Sequence, residues 1–172
     1  PLSLHDALPI SVRDSGWIQL YCADNQEAID TTVQAYRIAE ETELPVMVCV
    51  DGFTLTHTLE PLELPSQEAV DRYLPPYRFS RPLDPNSPIS MGTLVTPAHF
   101  SEVRHSHHAA MMQSLESIEN ADEDWAALTG RRAGGLLETY SQEGASIGVL
   151  VLGSIYGTFV ESLEEYPDNA PM

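Results

Sequence analysis

The residues best suited to chemistry follow an apolar run, where Asp51-Gly52-Phe53 is trailed by His57. A carboxylate and an imidazole in one short loop could fix a cofactor or partner. The glycine would let the backbone turn tightly at a sheet edge. A plainer reading has Asp51 capping loop amides and Phe53 plugging an interface, and loop shaping is preferred to direct participation in catalysis. Arg13, beside Asp14, could meet an anionic substrate or simply pair with a carboxylate; the structural role is favoured. His105, His107 and His108 invite a metal reading. Helical geometry pairs His105 with His108 but sends His107 elsewhere, and no third ligand stands at matching spacing. Gly153-Ser154 with Gly157-Thr158 suggests an anion-cradling turn before a helix, yet lacks the further glycine and the lysine of phosphate loops. Close packing and a helix start are the better reading. Cys22 and Cys49 do not make a cluster or zinc motif and read as buried, reduced thiols. No residue is assigned to catalysis or to a metal.

The elements that must position these groups read as α/β. Trp17–Cys22 alternates in bulk like a strand. Asp24 or Asn25 then caps a helix whose apolar face is Ile29, Val33 and Tyr36, with Ala28, Ala35 and Ala39 beside it. Pro45 breaks that helix and opens Pro45–Val50, an unbroken apolar strand of the kind buried on both faces. Strand, helix, strand with short connections is a βαβ unit in a parallel sheet, and ligands bind beyond the carboxyl ends of such strands. Asp51 stands there. Ser66 caps a short helix to Tyr73. Residues 75–97 hold six prolines and form an extended arm. Thr96-Pro97 starts a longer helix with Phe100, Val103, Met111, Leu115 and Ile118 on its apolar face and His107 on the same stripe. A further turn or two is expected over Asp122–Leu128, then a glycine-containing linker over 131–146. A new strand at Ile147–Leu152 and a helix over 157–163 follow.

Composition limits the partners. The 172 residues carry 26 acids against eight arginines, for a formal charge of −18, and contain no lysine. Such a surface repels phosphate backbones, which excludes direct nucleic-acid binding. No apolar run approaches the roughly 20 residues that cross a bilayer, so no membrane is expected and the location is read as cytoplasmic. The chain opens on Pro1, and Leu2–Ile10 resembles the translation of a common sequencing adapter. Residues 1–10, including the tempting His5 and Asp6, are therefore set aside as an artefact.

Several stretches together resemble the α subunit of pyruvate and related 2-oxoacid:ferredoxin oxidoreductases. They are Arg13–Trp17, Asn25–Ala28, LPVMVCVDGF with Thr56-His57, Glu60–Pro65, Met91–Thr93, RHSHHAAM, Gly134–Tyr140 and Gly153–Thr158. Their order and spacing carry the resemblance, not any single motif. It implies the later part of a thiamine-diphosphate (pyrimidine-binding) domain over 11–130. After the 131–146 linker it implies the start of a second, transketolase C-terminal-like α/β domain over 147–172. It implies oxidative decarboxylation of a 2-oxoacid, by wording pyruvate, to acyl-CoA with reduction of ferredoxin or flavodoxin. By the same resemblance, coenzyme A would be the acyl acceptor. Thiamine diphosphate and Mg2+ would be shared with a β subunit, with γ and δ subunits in larger assemblies and iron–sulfur clusters in the partners. The pyrimidine-activating glutamate would lie upstream, so this stretch alone is expected to be inactive. Arg13, Asp51, Gly52, Phe53 and His57 remain as cofactor-loop or interface candidates. Two other classes stay open: a non-catalytic α/β interaction module, and a transketolase-type thiamine-diphosphate enzyme that uses no ferredoxin.

Overall fold

A computed structural model describes residues 10–92, 94–140, 144 and 146–166. Residues 1–9, with His5 and Asp6, lie outside the described residues, as do Thr93 and part of the expected linker.

The chain first builds a strand β1 (Ile18–Tyr21), a helix α1 (Asn25–Thr42) and a strand β2 (Val46–Cys49). The start of α1 is fixed by a reciprocal cap. Asp24 Oδ1 accepts from the Glu27 amide at 2.7 Å, and Glu27 Oε2 accepts from the Ala23 amide at 2.5 Å. Glu43, in the left-handed region at φ 54°, ends the helix just before Pro45. The strands pair in parallel, with Ile18 opposite Val46 and Tyr21 opposite Cys49, so both carboxyl ends lie at one edge. This is the expected βαβ unit and α/β class.

A short helix α2 (Gln67–Tyr73) follows, capped by Ser66 Oγ, which accepts from the Ala69 amide at 3.2 Å. Residues 75–96 have no helix or strand in their described part, as five prolines dictate. Helix α3 then runs from Pro97 to Thr129 and stops at Gly130, which is left-handed at φ 77°. It lies across α1. Ile18, Ile38, Leu44, Ile118 and Ala121 form the core between sheet, α1 and α3, with Leu20, Val46 and Met111 packed on it. Tyr73 docks α2 onto α3: its hydroxyl donates to the Ala121 carbonyl at 2.8 Å and its ring meets Trp125 edge-on at 4.9 Å. Helix α4 (Ile155–Glu165) closes the described chain. No helix among the described residues is long and apolar enough to cross a membrane.

Four expectations need correction. The buried side of α1 is Asp30, Thr31, Gln34, Ala35 and Ile38, while Tyr36 is 61% exposed. Polar residues can take that side because an arginine from outside the helix neutralises Asp30. β2 is not buried on both faces: only Cys49 is buried and Val50 is exposed, since the sheet has two strands among the described residues. α3 is one continuous helix, and Phe100 and Val103 are exposed at its amino-terminal end. Ile147–Leu152 forms no strand, because a strand needs a neighbour to satisfy its amides and none lies beside it among the described residues.

Candidate functional site at the carboxyl ends of the strands

Asp51 leaves the carboxyl end of β2, where sequence reasoning placed it. Its carboxylate is not turned to solvent: Oδ2 accepts from the Ser154 backbone amide at 2.6 Å. Two stretches singled out separately in the sequence thus meet across about a hundred residues. Beyond Gly52, Phe53 adopts φ 67° and stacks on His57 with ring centroids 5.2 Å apart. Thr56 Oγ1 ties the loop together, accepting from the Phe53 amide at 3.0 Å and lying 2.9 Å from His57 Nδ1. The Phe53 ring stays 70% exposed, so it does not plug an interface within this chain. Arg13 does not join this loop; it lies on the surface, 3.8 Å from Asp14.

The histidines part company. His105 and His108 are exposed on α3, while His107 is partly buried with Nε2 3.2 Å from the Gly16 carbonyl oxygen. Among the described residues no group of three His, Cys, Asp or Glu side chains could hold a metal ion. Burial pushes the Cys22 thiol up to about 12 and the Cys49 thiol up to about 11, so both are inert, as expected for buried reduced cysteines.

Sequence reasoning missed a carboxylate cluster beyond β1. Glu27, Asp30, Asp122 and Glu138 surround two cavities, one of about 400 Å3 along β1 and one of about 310 Å3 beside Arg131 and Arg132. Arg131 grips Asp30 with two nitrogens, Nε to Oδ2 at 2.6 Å and Nη2 to Oδ1 at 2.8 Å. Arg132 Nε donates to Asp122 Oδ2 at 3.0 Å, while the Ala133 amide donates to Asp122 Oδ1 at 3.1 Å. Glu27 lines both cavities and forms no salt bridge among the described residues; burial, reinforced by Asp24, Glu138 and Asp122, pushes its carboxyl up to about 7. Burial and a hydrogen bond to Glu138 also raise the Tyr156 hydroxyl. Among the acids themselves, the only sequence signal for this cluster is the Asp24-x-x-Glu27 capping box, which speaks of a helix start rather than of a site.

Gln26 shows how the strand ends gather distant motifs. Its side-chain amide donates to the Glu63 carbonyl at 3.0 Å and accepts from the Glu63 amide at 2.7 Å. Residues 60–65 are thereby pinned to the first turn of α1.

These residues do not fit the diphosphate end of thiamine diphosphate. An anion of that charge needs free cations or a metal, whereas Arg131 and Arg132 are committed to Asp30 and Asp122 and the cluster is otherwise acidic. Glu27 is likewise committed, one oxygen being held by the Ala23 amide.

Comparison with known proteins fits this architecture. Residues 6–123 match the thiamine diphosphate-binding domain of pyruvate flavodoxin/ferredoxin oxidoreductase. The chain belongs to that family. It is 42% identical over 162 residues to pyruvate synthase subunit PorA of Methanothermobacter thermautotrophicus, covering 93% of this chain and 42% of that protein. PorA of Methanosarcina barkeri is 42% identical over 159 residues, 91% of this chain and 40% of its own length. Ketoisovalerate oxidoreductase subunit VorA of Pyrococcus horikoshii is 34% identical over 156 residues, 90% of this chain and 40% of its length. The chain thus spans about two fifths of the length of the curated relatives it matches. The family match begins at residue 6 and so includes residues 6–10 of the stretch set aside as an artefact.

Proposed function

We propose that this chain is part of the α subunit of a 2-oxoacid:ferredoxin oxidoreductase whose 2-oxoacid is pyruvate. One observation carries the reading: the likeness to pyruvate synthase subunits runs through more than nine tenths of the chain. The fold supports it, since a parallel βαβ unit presents its functional edge at the carboxyl ends of the strands. In the proposed reaction the 2-oxoacid is decarboxylated oxidatively, its acyl group passes to coenzyme A, and ferredoxin or flavodoxin takes the electrons.

Residues 11–130 form the later part of the pyrimidine-binding domain, 131–146 a linker, and residues from 147 the opening of a second α/β domain. The anchoring of Arg131 and Arg132 on α1 and α3 supports a junction at that point. The diphosphate and Mg2+ belong with a β subunit, a reading supported by the pairing of Arg131 and Arg132 with Asp30 and Asp122. Iron–sulfur clusters lie in the partner chains, with γ and δ subunits in fuller assemblies, and the complex is cytoplasmic. Arg13, Asp51, Gly52, Phe53 and His57 act as loop and interface residues and not as acids or bases. The stretch alone is inactive, because the groups that activate the pyrimidine lie outside it.

The test is reconstitution. The complete reading frame, co-purified with its β-type neighbour, should reduce ferredoxin when given pyruvate and coenzyme A, and the 172-residue chain in place of the complete α subunit should not. A pair that reduces ferredoxin with no 2-oxoacid sinks the assignment. Activity confined to branched-chain 2-oxoacids sinks the choice of pyruvate.

A further inference from the structure

We propose that Asp51 is a positioning residue that couples the loop after β2 to the segment beginning at Gly153, its carboxylate serving as the anion of that segment's helix-start turn. The inference does not depend on which reaction the whole protein performs.

Three features support it. The Ser154 amide donates to Asp51 Oδ2 at 2.6 Å, at the short end of charge-assisted hydrogen bonds. The contact joins the end of β2 to the residue preceding α4, where the helix dipole favours a negative partner. The carboxylate also lies flush against Gly153. A methyl group there would stand 2.7 and 2.8 Å from the two carboxylate oxygens, well inside contact distance. Gly153 itself adopts φ 70°, which side-chain-bearing residues avoid. Steric room and backbone conformation thus both demand glycine where Asp51 docks. Gly153-Ser154 resembles an anion-cradling turn, and here the anion is supplied by the chain itself. An external phosphate would meet Asp51.

The consequence lies in the Gly52–Thr58 loop. Asp51 is its first anchor, and the Phe53–His57 stack hangs from it. A displacement of α4 must therefore be felt at the strand's carboxyl edge, and by reciprocity a change in the loop must be felt at α4. A carboxylate that merely shaped its own loop would leave α4 indifferent.

Native-state hydrogen exchange on the protein separates the two. Asp51→Ala is expected to speed exchange of the amides of residues 155–158 at least tenfold, with the α1 amides unchanged. Asp51→Asn, which keeps an acceptor oxygen, should restore part of the protection. Ser154→Pro removes the donor from the other side, and Ser154 already has φ −61°, close to proline's own. It is expected to speed exchange in the amides of residues 52–58 by a similar factor. The double variant should be no looser in either segment than the more affected single variant. If D51A loosens only residues 52–58, or S154P loosens only residues 155–158, the coupling does not exist. Should D51A also lose α1 protection through unfolding, S154P carries the test, and parent-like exchange in its 52–58 loop overturns the proposal.

Discussion

Replacing Glu27 by glutamine should stabilise the chain above neutral pH and do nothing to it in acid. The carboxyl is pushed from an ordinary value of 4.5 up to about 7, first by burial and then by Asp24, Glu138 and Asp122. The sign follows from proton binding. Below about pH 4.5 the carboxyl is neutral in both folded and unfolded chains and contributes no difference. As pH rises toward 7 the unfolded chain ionises while the folded one resists, so stability falls. Above 7 the whole penalty is present. A displacement of that size corresponds to about 3 kcal/mol at roughly 1.4 kcal/mol per pH unit. The group is only partly buried, and solvent screening brings the expected effect down to about 1–2 kcal/mol. Glutamine retains an oxygen to accept from the Ala23 amide, so the helix cap survives the change. Urea unfolding of both proteins at half-unit steps from pH 4 to pH 8.5 measures it. The curves should coincide near pH 4 and separate through the window from 4.5 to 7, with E27Q ahead by about 1–2 kcal/mol at pH 8. A variant less stable at pH 8, or a difference constant across the range, would refute the reasoning.

Other perturbations follow from the same contacts. Arg131→Ala leaves Asp30, whose side chain is 6% exposed, without its bidentate partner; a loss of about 2–4 kcal/mol in urea unfolding is expected, largely recovered by adding Asp30→Asn. Gly16→Ala places a methyl 2.3 Å from the His107 ring at a backbone φ of 94°, so a cost of about 2–3 kcal/mol is expected. In a His107→Ala background the cost should drop to about 1–2 kcal/mol, the backbone part alone. Cys22 and Cys49, both buried and with thiols raised to about 12 and about 11, should resist Ellman's reagent at pH 8 in the native chain and both react in urea; fast native labelling would contradict their burial.

Local signals were readable where the physics is local. The capping residues Asp24 and Ser66, the breaker Pro45 and the Thr96-Pro97 start all mark true element boundaries, because each acts within one turn of the backbone. Their failures share a cause. Ile29, Val33 and Tyr36 looked like the inward face of α1, but the side that turns inward carries Asp30, whose partner Arg131 is 101 residues away. Asp122–Leu128 reads in sequence as a further turn or two after the long helix, whereas α3 runs through it without a break. Asp122 is in fact buried there, satisfied by Arg132 and the Ala133 amide after the helix has ended. Ile147–Leu152 has the composition of a buried strand, yet composition cannot supply the neighbouring strand that would pair with it. Asp51 was legible as a conspicuous loop residue. That it binds Ser154 was not, since nothing in either segment names the other.

The charge balance of the chain explains why the hidden cluster could not be found from its acids. With 26 acids in the sequence, an acidic residue by itself says almost nothing about its role, and most are solvated. Basic residues are the scarce species, eight in all, so each arginine's choice of partner is informative. Arg72 and Arg13 take exposed neighbours on their own segments, pairings that contribute little. Arg131 and Arg132, adjacent in sequence just beyond α3, instead reach Asp30 and Asp122, whose side chains are 6% and 2% exposed. Those two pairs, with the Ala133 amide on Asp122, fix residues 131–133 against α1 and α3. In a lysine-free, acid-rich sequence, the Arg131-Arg132 doublet was therefore the feature to follow, because these two scarce cations are the ones that reach buried carboxylates among the described residues.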